Sequence, residues 1–235
     1  MRRTISAVPF GVYQGESVYL YTIENIHHSK LKVLSYAATW YDFEVQVDRQ
    51  PHSLVLHFDN LADYIETPYQ VGKTVGRVAG RIGNATFSLN GQTYHLQPNN
   101  GRHLLHGGNH GLQTHNFRAR FDPDGDTVTL TTTLASADDG FPGDLTVTVS
   151  YTLTADDEVQ ISYHGVTTAD TLFNPTCHVY FNLDGQAALI NPQQLRINST
   201  KLVHTNHEKV PTGVFYVLSP AYDFREQPTI QSQLD

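Results

Sequence analysis

Histidines are concentrated in one segment of the sequence that has the composition of a loop. Residues 99–111 read NNGRHLLHGGNHG, and His115 follows shortly afterwards. Histidines this close together could bind a metal ion, but the segment offers no nearby carboxylate or thiolate, and the spacing matches no zinc pattern. Neutral imidazoles also serve as hydrogen-bonding or acid–base groups. We therefore favour that role here, and the two glycines after His106 would let the backbone pass close to a ligand.

A second polar segment, residues 76–84 (GRVAGRIGN), contains Arg77 and Arg81 among glycines. Glycines after a strand can indicate a phosphate loop, but no Lys-Ser/Thr pair follows and no helix is predicted to begin here. Two alternatives remain open from the spacing. The segment is a tight turn with solvated arginines, or one arginine reaches a pocket and donates hydrogen bonds to sugar hydroxyl groups.

Residues 174–185 (NPTCHVYFNLDG) place His178 among aromatic and aliphatic residues. Such a histidine is typically a buried, hydrogen-bonded core residue. Partial burial would instead suit it to proton transfer. The neighbouring Cys177 could be a nucleophile, but no base is placed beside it by spacing. We interpret it as a small, inert hydrophobic residue.

The last polar segment, residues 211–225, ends in the residues YDFR. Asp223 lies between Tyr222 and Phe224, and a carboxylate in such surroundings is costly to bury unless it accepts hydrogen bonds. It is therefore either a turn carboxylate that pairs with Arg225 or an acceptor for a ligand. The spacing favours neither alternative.

The elements that must position these residues are predicted to be strands. In residues 144–154 (DLTVTVSYTLT), apolar residues alternate with Thr and Ser, as in a strand with one buried face. Residues 127–134 and 158–166 repeat the alternation. Residues 86–96 predict a hairpin, because Asn90-Gly91 supplies the two positive φ angles of a type I′ turn. No window keeps a helical period. We predict one all-β domain with little helix, a sandwich or wide barrel spanning the whole chain, residues 1–235.

The composition of the 235 residues excludes several classes of protein. Fifteen basic and 23 acidic residues give a net charge of −8, so nucleic acid and anionic membranes are poor partners. The single cysteine excludes an intramolecular disulfide and fits a reducing compartment. No apolar run approaches the roughly 18 residues of a membrane helix, and no signal-peptide core follows Arg2 and Arg3. We expect a soluble, cytoplasmic protein whose low charged fraction, 16%, suits contact with a neutral polar ligand.

Seven motifs in the same order resemble the aldose 1-epimerase (galactose mutarotase) family. In chain order they are LVLHFDNLADYIE, VGRVAGRIGNATFSLNGQTYHL, NNGRHLLHGG, DGFPGDLTVTVSYTL, NPTCHVYFNLDG, VPTG and YDFR. The resemblance implies a large antiparallel β-sandwich of the galactose mutarotase type, with neither cofactor nor metal. It also implies a reaction, the interconversion of the α and β anomers of free aldoses such as galactose and glucose. A carboxylate takes the proton of the C1 hydroxyl while a histidine protonates the ring oxygen.

The resemblance also implies roles for four residues. In NPTCHVYFNL, His178 stands in the place of the general acid, and in LHGG His106 is the second active-site histidine. In GRVAGRI, Arg81 would bind the sugar, and in YDFR Asp223 would bind sugar hydroxyls. The sequence departs from the family pattern at three positions where asparagine is usual or common: Gly80, His103 and Cys177.

The general-base glutamate of the family lies in a motif beyond YDFR, and residues 226–235 contain nothing that resembles it. Relative to the family we therefore expect the C-terminal part to be absent, leaving strand edges and apolar surface exposed. Two hypotheses follow. The chain is an aldose 1-epimerase acting on a small aldohexose, or it is a non-catalytic carbohydrate-binding or regulatory protein on the same fold. A metal-dependent β-barrel enzyme that uses the histidine segment is a third.

Overall fold

The computed structural model describes residues 3–185 and 189–233, and within them strands predominate over two short α-helices. This confirms the predicted all-β architecture with little helix. The elements in chain order are β1 (Thr4–Tyr13), β2 (Glu16–Glu24), β3 (Lys30–Leu34), β4 (Thr39–Val47), β5 (Gln50–Ser53), α1 (Leu61–Glu66), β6 (Thr74–Val75), β7 (Arg81–Ile82), β8 (Thr86–Leu89), β9 (Gln92–His95), β10 (Leu104–Leu105), β11 (Arg118–Phe121), β12 (Thr127–Leu134), α2 (Ser136–Asp139), β13 (Leu145–Leu153), β14 (Val159–Thr167), β15 (Thr176–Cys177), β16 (Lys201–Thr205) and β17 (Pro211–Val217). No helix in these two ranges is long and apolar enough to cross a membrane.

Two antiparallel sheets pack against each other around the main core. One contains β1 to β5 in chain order, and the other contains β11 to β14 in chain order. One cluster of buried apolar side chains joins the sheets, including Ile23, Leu31, Val33, Val128, Leu130, Val147 and Val149. Burying each such side chain contributes about 1.5–3 kcal/mol, so this interface dominates the stability of the fold.

Strand β13 has the alternation that the sequence predicts. Every second residue from Leu145 to Leu153 is buried, and the residues between them are partly exposed. On the outer face, hydroxyl groups form hydrogen bonds across β12 and β13, for example between Thr127 and Thr152 at 2.8 Å. The hairpin β8–β9 is also confirmed, since Asn90 and Gly91 have φ angles of 52° and 78°.

Short strand pairs position the polar segments beside this core. Strand β7 pairs with β10, and β6 pairs with β15, so motifs distant in the sequence become neighbours. Gly107 shows how closely they approach, because a Cβ atom there would lie 1.9 Å from the carbonyl oxygen of Gly76. With φ at 83°, only glycine is comfortable at this position.

Arg77 is fully buried, so the alternative of solvated arginines in segment 76–84 is wrong for this residue. Its Nε and Nη2 atoms donate to the Asp139 carboxylate at 2.6 and 3.0 Å. Nη1 donates to the carbonyl of Pro142 at 3.1 Å and to the hydroxyl of Thr171 at 3.0 Å. The guanidinium thereby links α2, the loop before β13 and the loop after β14 to the start of the segment that contains Arg81.

The hairpin β16–β17 exposes large apolar side chains. Phe215 is 62% exposed and Val217 is 82% exposed, and their neighbours on both strands are also accessible. Apolar patches of this kind favour association with other surfaces.

Candidate active site

Three of the four residues predicted from the sequence line one cleft. Arg81, His106 and His178 surround a space of about 490 Å³ beside the strand pairs β6–β15 and β7–β10. We call it the histidine cleft. Its other polar lining groups among the described residues are Tyr69, Gln70, Asn99, Gln113, Tyr180 and Lys209. None of the described residues that line the cleft carries a carboxylate.

His106 is held by the backbone of the arginine segment. Its N–H donates to the carbonyl of Gly80 at 2.9 Å, and the N–H of Gly80 donates to Nδ1 of His106 at 3.2 Å. Because Nδ1 accepts a hydrogen bond, the proton of the neutral ring lies on Nε2. Burial, together with the smaller effects of the nearby His178 and Arg81, lowers the pKa of His106 to about 4. At neutral pH this residue is therefore an uncharged hydrogen-bond donor.

His178 follows β15 and is anchored by its own backbone. Its N–H donates to the carbonyl of Lys73 at 2.8 Å, and its carbonyl accepts from the N–H of Gly72 at 2.9 Å. The imidazole is half-buried and meets the ring of His106 edge-on, with centroids 5.2 Å apart. The centroid of the Tyr180 ring also lies 5.2 Å from that of His178. Two aromatic neighbours therefore restrict where the His178 ring can point.

Arg81 enters the cleft from β7, where it pairs with Leu105 of β10. Its Nε donates to Oδ1 of Asn100 at 3.0 Å. The adjacent Asn99 fixes the same loop, because its side chain bonds both the N–H and the carbonyl of Leu105, at 2.7 and 3.0 Å. Within the described part of the chain the two terminal amino groups of Arg81 have no hydrogen-bond partner, so they can serve a ligand.

Asp223 does not line the histidine cleft. Its carboxylate accepts from Nε and Nη2 of Arg225 at 2.8 and 2.5 Å. These hydrogen bonds are the main reason that the pKa of Asp223 is lowered to about 2. The structure thus shows the turn pairing that the sequence left as one of two alternatives.

Two lining residues had no recognisable signal in the sequence. Lys209 reaches the cleft on the turn between β16 and β17, and Glu208 beside it bonds Nη2 of Arg102 at 2.6 Å. Gln113 is 5% exposed, and its Nε2 donates to the carbonyl of Gly108 at 2.7 Å. Its Oε1 has no partner among the described residues. Lys209 lies in a turn and Gln113 in a single turn of 3₁₀ helix, and segments this short have no periodicity that predicts side-chain direction.

His103 and Cys177 have structural surroundings. His103 is buried, and its Nδ1 accepts from the N–H of Asn84 at 2.9 Å. Burial raises the pKa of the Cys177 thiol to about 11, so it is protonated at neutral pH. Across residues 3–185 and 189–233, no three His, Cys, Asp or Glu side chains are grouped closely enough to hold a metal ion.

Comparisons with known proteins identify the family of this chain. The family model for aldose 1-epimerase matches residues 19–235. A maltose epimerase from Levilactobacillus brevis is 36% identical over 96% of this chain and 67% of its own length. An aldose 1-epimerase from Haemophilus influenzae is 32% identical over 92% of this chain and 64% of its own. The chain thus spans about two thirds of the length of these relatives.

Solved structures show the same fold. An aldose epimerase homologue from C. elegans superposes with a TM-score of 0.85 at 30% identity, covering 91% of this chain and 66% of its own. A galactose 1-epimerase from Lactobacillus acidophilus gives a TM-score of 0.88 at 24% identity, covering 99% of this chain and 69% of its own. With the match of the family model over most of its length, this chain belongs to the aldose 1-epimerase family.

Proposed function

We propose that this chain is an aldose 1-epimerase that interconverts the α and β anomers of free hexoses such as glucose and galactose. The observation that supports this most directly is the pairing of His106 and His178, with rings 5.2 Å apart, beside the unpartnered amino groups of Arg81 in one cleft. Anomer exchange needs a proton donor at the ring oxygen and polar groups that orient the hydroxyls around it.

In the proposed reaction His178 is the general acid. It gives a proton to the ring oxygen as the bond from that oxygen to C1 breaks, and a general base, which we assign to no residue, takes the proton of the C1 hydroxyl. The open-chain aldehyde turns about its C1–C2 bond and closes on the other face. On closure the base returns its proton to the C1 oxygen, and the ring oxygen returns its proton to His178. A positioned general acid or base contributes about 10²–10⁴-fold to such a rate.

His106 and Arg81 are assigned to sugar binding. Because Nδ1 of His106 accepts the hydrogen bond from Gly80, the neutral ring carries its proton on Nε2. We propose that Nε2–H donates a hydrogen bond to a sugar oxygen and that His106 takes no part in proton exchange. Arg81 offers two amino groups of fixed geometry, which suit vicinal hydroxyls. Asp223 remains a proposed hydroxyl acceptor through its match to the family motif, and in that role it would have to exchange Arg225 for the sugar.

A second candidate, a sugar-binding protein without catalysis, is favoured by one observation. The described lining of the histidine cleft offers donors to hydroxyl groups but no carboxylate to act as the base. We assign the base to no residue. We further propose that the protein works on a small neutral sugar in the cytoplasm, since its one cysteine is a free, partly buried thiol.

Polarimetry of freshly dissolved α-D-glucose and α-D-galactose tests the proposal. We expect a faster approach to the equilibrium rotation with the protein than without it, and loss of that gain in His178→Ala. His164→Ala, a change at an exposed histidine on β14, is the matched control and should keep the gain. Hexose binding in calorimetry with no rate gain would replace the first candidate with the second. The absence of both hexose binding and a rate gain would refute both candidates.

A further inference from the structure

Lys209 lines the histidine cleft but has no role in the proposed reaction. It is exposed on the turn between β16 and β17, and it forms no ion pair with any described residue. The neighbouring carboxylate of Glu208 is already engaged. One of its oxygens accepts from Nη2 of Arg102 at 2.6 Å, and the other lies 3.3 Å from Nε2 of His103. In the described part of the chain, the ammonium group of Lys209 therefore has no counter-ion.

The turn that carries Lys209 is closed by Asn206. The N–H of Lys209 donates to the Asn206 carbonyl at 2.9 Å. Oδ1 of Asn206 accepts from the N–H groups of Glu208 and Val210, each at 3.0 Å. Lys209 has a φ angle of 61°, in the left-handed region that favours glycine and asparagine. The backbone does not favour lysine here, so the side chain is the part of this residue that can account for it.

Two contacts hold this turn against the walls of the cleft. The ion pair between Glu208 and Arg102 ties it to the loop that precedes β10. Val210 packs against the segment that follows β7, because a Cβ atom on Gly83 would lie 3.2 Å from Cγ1 of Val210. The position of Lys209 at the cleft is therefore set by the packing of the turn on both neighbouring strands.

The charged groups that line the cleft have one sign. Arg81 and Lys209 are cationic, and none of the described lining residues is acidic. This local balance is opposite to that of the whole chain, whose net charge is −8. A cleft lined by charges of one sign attracts small ligands of the other sign. The charge of this cleft therefore favours a sugar that carries a negative charge.

We propose that Lys209 extends the substrates of the histidine cleft from neutral hexoses to hexuronates, which are aldoses with a carboxylate in place of the terminal hydroxymethyl group. The bonds that break and form at C1 are those of the proposed reaction, and the carboxylate keeps its charge throughout. This inference rests on the proposed function of the cleft.

A hexuronate suits the arrangement of the lining residues. It has the carbon skeleton of a hexose, so a cleft of about 490 Å³ that accepts a hexose also accepts it. Its carboxylate is attached to C5, which is bonded to the ring oxygen that His178 would protonate. The carboxylate is therefore close to His178, in the cleft that Lys209 also lines. A hydrogen bond between an ammonium group and a carboxylate is stronger than one between neutral groups. Arg81 stays assigned to the hydroxyls.

Exchange NMR between the α and β anomeric protons tests the proposal with D-glucuronate, D-glucuronamide and D-glucose. D-Glucuronamide is the uncharged control of nearly the same shape. We expect kcat/KM to be higher for D-glucuronate than for D-glucuronamide. Added NaCl should reduce this advantage, because salt screens charges that are open to solvent.

Lys209→Asn removes the charge with a residue that tolerates the left-handed φ angle. It should lower the ratio of kcat/KM for D-glucuronate to that for D-glucose about fivefold, the upper end for an ion pair open to solvent. Lys209→Arg should retain most of the ratio. Lys201→Asn, at an exposed lysine on β16, is the matched control and should retain all of it.

Calorimetry with D-glucuronate gives a readout that does not require catalysis. We expect tighter binding of D-glucuronate than of D-glucuronamide, and loss of that difference in Lys209→Asn. Equal binding of the two, or an equal effect of Lys209→Asn on D-glucuronate and D-glucose, would overturn the inference while leaving exchange of D-glucose intact. If no sugar exchanges faster but D-glucuronate binding depends on Lys209, the proposed catalysis fails and the site for an anionic sugar stands.

Discussion

Replacing Arg77 with methionine should destabilise the protein more than most single substitutions. The change removes hydrogen bonds to Asp139, Pro142 and Thr171, and it leaves the Asp139 carboxylate in a site where its side chain is 1% exposed. The N–H of Phe141, at 3.1 Å, then remains as a partner for that carboxylate. Breaking a buried pair from one side costs about 3–5 kcal/mol, because an uncompensated charge stays buried.

This cost is large beside the total stability of a domain, about 5–15 kcal/mol. For a chain of this size it corresponds to a fall in Tm of about 6–20 °C. The pH dependence has a definite sign. Burial raises the pKa of Asp139, and the Arg77 guanidinium opposes that rise. In the folded variant without Arg77, Asp139 therefore binds a proton at a higher pH than in the unchanged protein. The deficit of the variant should therefore shrink as the pH falls.

Urea denaturation followed by circular dichroism measures the difference in the free energy of unfolding. The double variant Arg77→Met/Asp139→Leu should recover most of the loss, since it leaves no unpaired charge in the core. A loss below 1 kcal/mol in Arg77→Met, or a double variant no more stable than the single one, would refute the argument. Arg118→Met, at an exposed arginine on β11, is the matched control.

Three further predictions concern the cleft and the surface. Because the pKa of His106 is lowered to about 4 in the folded protein, the unfolded chain binds its proton first, and stability should fall as the pH drops from 6.5 towards 4. His106→Gln should flatten that part of the pH profile, and an unchanged profile would contradict the assignment. The Cys177 thiol, with its pKa near 11, should resist iodoacetamide at pH 8 until urea exposes it; rapid labelling of the native protein would disprove this burial. Finally, Phe215→Ser with Val217→Ser should reduce self-association in sedimentation velocity, because these exposed side chains form an apolar patch, and equal association in the variant would refute that role.

Strands and turns that depend on neighbours in the sequence were predictable. The alternation over residues 145–153 determines which face of β13 is buried, and Asn90-Gly91 determines the β8–β9 turn through the φ angles that those residues tolerate. The order of the motifs likewise indicated the family and, through it, the pairing of His106 with His178. These inferences need no knowledge of contacts between distant parts of the chain.

Arg77 and Arg81 show where such reasoning ends. They are the same residue type, four positions apart in one motif, yet Arg77 is buried in an ion pair and Arg81 faces the cleft. The difference depends on Asp139, which is distant in the sequence and is brought to Arg77 by the packing of α2. No local sequence pattern around either arginine predicts that Asp139 pairs with Arg77.

The sequence by itself determined the all-β architecture, the buried face of its clearest strand and the residue types available for proton transfer. Only the tertiary structure decided that Asp223 pairs with Arg225 outside the cleft, and that Lys209 and Gln113 line it. The physical reason is one of range. Backbone preferences and alternation act over a few residues, whereas a cleft is formed by loops whose positions are set by contacts across the whole chain.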